Sequence, residues 1–228
     1  MTRRQIIRGR VVVTRWGGGA QPMRDGAVYV EDAFVRDAGP FTALVQRHPG
    51  SETIGDGTHL VMPGFVNAHS HGRGVTTLRQ GIPDDPGEVR SVGLRLGLSV
   101  DPYWDVMLTA ARQLEGGVTA TMHLDSNYGY GPLDAYEERL RGVVRGYGDS
   151  GIRFSVALPV RDPSIDDPYL DERFLTELPC DVRSEVEGWR RSAPPLDAYL
   201  GLYGRLAGDG APLQIEPVGV DACSEEFL

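Results

Sequence analysis

Apolar positions in residues 1–62 come in short runs broken by turn residues: Ile6-Ile7, Val11-Val12-Val13 and Ala27-Val28-Tyr29-Val30, with Gly17-Gly18-Gly19 and Gly26 between them. That spacing predicts a small β layer with tight turns. After Met62-Pro63-Gly64 the period changes. A buried strand is expected over about 60–68, followed by a long polar loop. A helix over 101–114 then carries Tyr103, Val106, Met107, Ala110 and Leu114 at helical spacing and is ended by Gly116-Gly117. Strands are expected at 118–124, 152–158 and 213–218. Between them lie helices at 132–147, with Leu133, Tyr136, Leu140, Val143 and Val144 on one face, and at 196–206. Residues 161–195 are rich in Pro and Asp and too long for a bare loop, so irregular helical turns are expected there. Strands alternating with helices are the signature of βα units on a parallel sheet.

The pattern therefore divides the chain into a β layer over 1–62 and an α/β region over 63–228. Charge divides it at the same place: residues 1–62 hold eight arginines and six acids, the remainder fifteen and twenty-six. The second region has room for four βα units, whereas a closed eight-unit barrel takes about 250 residues. It is thus either an open α/β layer or the first half of something longer. The last residues favour the longer protein, because Ser224-Glu225-Glu226 signals a helix start just before Leu228.

Composition narrows the function. With 40% apolar and 24% charged residues among 228, the chain is an ordinary globular sequence. A formal charge of -9 argues against a grip on nucleic-acid phosphates or anionic lipid and points to a small-molecule partner. There is no lysine, so a Schiff base, a P-loop phosphate site and a carboxylated-lysine metal bridge are closed to this chain. No run approaches the roughly 18 apolar residues of a membrane span. The N-terminal run Thr2 to Arg10 has no apolar stretch of a secretion signal, and a cytoplasmic protein is expected. Cys180 and Cys223 lie far apart and are expected as reduced thiols.

Candidate chemistry concentrates in Leu60-Val61-Met62-Pro63-Gly64-Phe65-Val66-Asn67-Ala68-His69-Ser70-His71-Gly72. Strand side chains alternate with period two, so His69 and His71 fall on one side and can chelate one metal ion. Neutral imidazole suits Zn, Fe, Ni or Cu. A bare His-x-His also arises by chance on strand surfaces; what sets this one apart is its place at the carboxyl end of a βα unit, where parallel α/β folds build their sites. His123 stands at the end of the second such strand and is the candidate for substrate contact, with a structural histidine as the alternative. Asp125 and Asp162, also at strand ends, are placed to orient ligands or to cap helices, and capping is the favoured expectation. His48 and His59 read as surface or turn residues, Gly17-Gly18-Gly19 as a hairpin loop, and the acidic Pro83-Asp84-Asp85-Pro86 as a solvated loop. A serine hydrolase's Gly-x-Ser-x-Gly does not occur.

The run Val61 to Gly72 closely resembles the first barrel strand of the amidohydrolase superfamily, in the branch of cytosine deaminases and chlorohydrolase-like enzymes. The preceding β layer is similar to that family's N-terminal half-sandwich. Leu114-Glu115-Gly116-Gly117-Val118-Thr119-Ala120-Thr121 is similar to its entry to strand two, and Asp149-Ser150-Gly151-Ile152-Arg153 leading to Pro159-Val160-Arg161-Asp162 to its strand three. The resemblance implies the N-terminal half of a (β/α)8 barrel beside a β-sandwich half. It also implies His69 and His71 as the first two ligands of one divalent metal ion, Zn or Fe, and hydrolysis of a C–N bond by metal-activated water. The family's remaining ligands, a His on strand five, a His on strand six and an Asp on strand eight, would lie beyond Leu228. The isolated chain is then expected to be inactive. The alternative is a truncated or decayed relic, or a weak metal- or ligand-binding module that forms homo-oligomers through its open edge.

Overall fold

The computed structural model describes residues 2–15, 21–97, 99–125, 132–160, 172–192, 194–217 and 223–225. The chain divides into two compact units, Met1–Gly64 and Phe65–Leu228. Gly17-Gly18-Gly19 and Asp162 lie outside the described residues, as does Glu226 of the expected C-terminal helix start.

The first unit is a five-stranded sheet built around β1 (Arg4–Val12). β1 pairs antiparallel with β2 (Met23–Glu31), which pairs antiparallel with β3 (Phe34–Pro40). A short helix, α1 (Phe41–Arg47), follows, and then β4 (Glu52–Ile54) and β5 (Leu60–Val61), both parallel to β1. Alternation along β1 and β2 buries Ile6, Ala27 and Tyr29 against Leu44 and Phe41 of α1. His48 lies partly exposed at the bend that ends α1, its ring stacked on Tyr29 with centroids 3.7 Å apart and its Nε2 3.0 Å from Asp37. His59 is exposed, as expected.

The second unit carries a parallel sheet in chain order, β6 (Phe65–Ser70), β7 (Val118–Leu124), β8 (Arg153–Val160) and β9 (Leu213–Pro217). The single strand expected over 60–68 is therefore two. Leu60-Val61 joins the first sheet and the chain begins a new ladder at Phe65, with Pro63, which has no N–H to give, between them. Helices α2 (Gly87–Leu96) and α3 (Pro102–Glu115) connect β6 to β7, and α4 (Leu133–Ser150) connects β7 to β8. From β8 to β9 the chain passes through α5 (Glu172–Glu177), α6 (Cys180–Arg191) and α7 (Leu196–Gly208).

Asp101 caps α3 by accepting from the Tyr103 and Trp104 N–H groups at 2.9 and 3.3 Å, and Pro102 sits in the first turn, where no N–H is missed. α3 and α4 approach closely because α4 presents Gly146, where a Cβ would come within 2.7 Å of the Tyr103 carbonyl. Behind the sheet, Val106, Ala110, Leu140, Val143, Tyr147, Val156, Leu158 and Leu202 form the main core. A separate cluster joins α2, α5 and α6 through Val92, Leu175 and Val186. α2 stands where a polar loop was expected, and α6 is a regular helix where irregular turns were. Cys180 and Cys223 are free thiols, and no helix among the described residues is long and apolar enough to cross a membrane.

Candidate metal centre

At the carboxyl end of β6 successive side chains part company. Ser70 turns back toward the helices, where its Oγ accepts from Gln113 Nε2 of α3 at 3.2 Å. His69 and His71, one residue either side, emerge on the opposite, solvent-open face. Their Nε2 atoms are 3.4 Å apart, with ring planes at 84°. The backbone N–H of His69 donates to Asn67 Oδ1 at 3.2 Å. His71 Nδ1 lies 3.0 Å from the Leu124 carbonyl at the end of β7. A carbonyl can only accept, so Nδ1 carries the hydrogen and the Nε2 lone pair is left facing His69. Burial lowers the His71 pKa, with Arg73 and His69 adding to the effect and the Leu124 bond opposing it. The ring is thus held neutral, the form that binds metal.

This donor pair fits the ion that the sequence resemblance implies. Two Zn–N bonds of about 2.0–2.1 Å at a tetrahedral angle separate their nitrogens by about 3.4 Å, which is the spacing observed. Imidazole serves Zn and Fe alike. Among the described residues no group of three or more His, Cys, Asp or Glu side chains converges, so the described part of the chain offers two ligands. Catalytic zinc commonly takes three from protein.

His123, expected either at the substrate or as a structural histidine, takes a buried position. It pairs in register with Ser70, and so faces the helical layer and not the side that holds His69 and His71. Only 1% of it is exposed. Its Nδ1 lies 3.2 Å from the Tyr147 hydroxyl of α4, and its Nε2, which makes no hydrogen bond, 3.7 Å from Asp125 Oδ1. Among the described residues Asp125 caps no helix, since α4 begins after Pro132; its carboxylate is fully buried 3.5 Å from Arg139. Burial alone would raise its pKa, but the contact with His123, the Arg139 charge and Tyr136 together hold it far below the usual carboxylate range. Tyr136 itself is pushed up by burial and by the Asp125 charge.

Glu216 was not singled out from sequence. It is the penultimate residue of β9, opposite Pro159 and one residue past the Leu158↔Ile215 pair, and so faces away from the core that Leu158 enters. Burial raises its carboxyl pKa while His69 acts to lower it. The available signal was an acid at a strand end out of phase with Ile215.

The paired imidazoles stand at the carboxyl end of the first strand of a parallel α/β layer, where such folds build their sites. The chain belongs to the amidohydrolase superfamily, matching the N-terminal half of its members. It is 29% identical, over 97% of its length, to 5-methylthioadenosine/S-adenosylhomocysteine deaminase of Symbiobacterium thermophilum, covering 46% of that protein. To the deaminase of the same description from Halobacterium salinarum it is 30% identical over 74% of its length, again covering 46%. Among solved structures, the zinc complex of the atrazine chlorohydrolase TrzN from Arthrobacter aurescens TC1 matches with a TM-score of 0.63 at 18% identity, over 98% of this chain and 48% of that one. Guanine deaminase from C. acetobutylicum matches with a TM-score of 0.61 at 15% identity, over 98% and 48%. No family model matches the sequence. The chain spans about half the length of the curated relatives it matches.

Proposed function

We propose that this chain is the N-terminal half of a metal-dependent hydrolase of non-peptide C–N bonds, a (β/α)8 barrel whose first four βα units are Phe65–Leu228 and whose β-sandwich half is Met1–Gly64. The 3.4 Å spacing of the His69 and His71 Nε2 atoms carries the reading. Zinc or iron held there would acidify a bound water, so that hydroxide is available near neutral pH to attack the carbon of an amide, amidine or aminated heterocycle. His71 contributes a neutral ring in the tautomer that leaves Nε2 to bind, and Asn67 ties the backbone behind His69. The remaining ligands and the general base belong to the second half. An aminated purine is the substrate class that the relatives support, and the acidic charge favours such a small molecule over nucleic acid or a membrane surface. We place the protein in the cytoplasm on its sequence.

The test is ammonia release from 5-methylthioadenosine and S-adenosylhomocysteine with zinc or iron. It is measured for this chain alone and for this chain fused to the C-terminal half of the Symbiobacterium relative. No turnover alone, and metal-dependent turnover in the fusion that His69→Ala and His71→Ala abolish, supports the reading. Turnover that survives both substitutions overturns it.

A second reading, a metal- or ligand-binding module that self-associates through its sheet edges, is favoured by one observation. Val66 on β6 is 71% exposed and Ile215 on β9 47%, and these are the two outer strands of the parallel sheet. Sedimentation of the chain alone as a well-behaved monomer counts against it.

A further inference from the structure

The ligand pair stands on a strand whose reverse side is bonded with unusual density. Ser70, between the two histidines, accepts from Gln113 Nε2 and, at 3.3 Å, from the Gly72 N–H. The Tyr147 hydroxyl has Ser70 on one side and His123 Nδ1 at 3.2 Å on the other. Gly72, next to His71, lies against the His123 ring so closely that a Cβ there would overlap Nδ1, and its φ is +62°. Beyond His123 stands the buried Asp125, 3.5 Å from the partly exposed Arg139. None of these groups reaches the solvent-open face; all of them are fastened to residues 70–72 or to the end of β7, whose Leu124 carbonyl holds His71.

We infer that Ser70, Tyr147 and His123 form a positioning chain that fixes the spacing of the His69 and His71 rings from behind the sheet. This rests on the reading of His69 and His71 as metal ligands. A tyrosine hydroxyl that donates to His123 Nδ1 leaves Nε2–H turned toward Asp125, 3.7 Å away and short of a hydrogen bond. The backbone from Ser70 to Gly72 then has one conformation before any ion arrives. Rings held in this way lose little freedom on binding, whereas rings on a loose strand end must be ordered by the ion itself.

The experiment is a Co2+ titration of the 228-residue chain, followed by visible absorption and calorimetry, for the unaltered protein and for Tyr147→Phe, His123→Asn, Ser70→Ala and Ser70→Thr. Each variant is first checked for unaltered circular dichroism at the titration temperature. Tyr147→Phe, His123→Asn and Ser70→Ala are expected to weaken binding about tenfold or more, the usual loss when a group orienting a ligand is removed. Ser70→Thr, which keeps the hydroxyl, is expected to retain it. Lower melting temperatures with Co2+ affinity within twofold of the unaltered chain would overturn the inference and leave these groups as ordinary core. Should Tyr147→Phe or His123→Asn fail to fold, the Ser70 pair decides alone. If the unaltered chain binds Co2+ no better than the His69→Ala, His71→Ala double variant, the ligand reading itself falls, an outcome distinct from loss of the positioning role.

Discussion

The ring of His71 is held by the backbone of the neighbouring strand: its Nδ1 lies 3.0 Å from the Leu124 carbonyl. Neither residue alone determines the tautomer; their juxtaposition does. Long-range 1H–15N spectra near pH 7.5 are expected to show His71 protonated at Nδ1 and bare at Nε2. The opposite tautomer would remove the basis for placing a metal between His69 and His71.

The same ring makes stability depend on pH in a definite direction. Unfolded, His71 takes up a proton near its ordinary value of about 6.5; folded, it does so only at lower pH. The unfolded chain therefore binds more protons in that window, and its contribution to stability is complete above pH 6.5 and lost as pH falls below it. Urea unfolding at pH 7.5, 6.5 and 5.5 should show a steeper loss for the unaltered protein than for His71→Asn. Parallel slopes would contradict this.

Replacing the ligands themselves should separate binding from folding. His69 is exposed, so His69→Ala is expected to change unfolding free energy by no more than about 0.5 kcal/mol, and His71→Ala, which gives up the bond to the Leu124 carbonyl, by about 1 kcal/mol. Calorimetric Zn2+ binding should nevertheless disappear with either. A variant that loses its fold along with the metal would assign the pair a structural role.

Gly72→Ala should be costly although the new group is a single methyl. It would force a residue with a side chain to a φ of +62° and drive a Cβ into His123. Overpacking and backbone strain together give about 3 kcal/mol, read as a shift in the urea midpoint. Gly148→Ala on α4, where a Cβ would meet nothing, is the control and should be neutral or slightly stabilising.

Helices α3, α4 and α7 were legible because each sends apolar residues at helical spacing into the core behind one sheet. The helices that went unread bury less. α1 has only Leu44 inside and α2 only Val92, so their periodicity is too sparse to stand out from loop. α6 spends its apolar residues on a satellite cluster with α2 and α5, not on the sheet. The pair His69 and His71 was legible because strand period alone sets their common side. His123 was not, because period two says that it faces away from Met122 and Leu124 but not which of the two faces the helices cover. That is decided by the register Ser70↔His123, a property of two strands and not of one. Glu216 was lost for the same reason, and Asp125 reads as a helix cap until the start of α4 is located after Pro132.

Strand order in the parallel sheet follows chain order, β6-β7-β8-β9. Every group described as holding the two imidazoles, from Asn67 through Leu124 to Tyr147, belongs to the first two strands and to the helices α3 and α4. During translation, at about 5–20 residues per second, that segment leaves the ribosome ahead of β8 and β9. The geometry that would receive an ion is consequently encoded in the part of the chain that can begin to fold first, and later elements add to a ring pair already set.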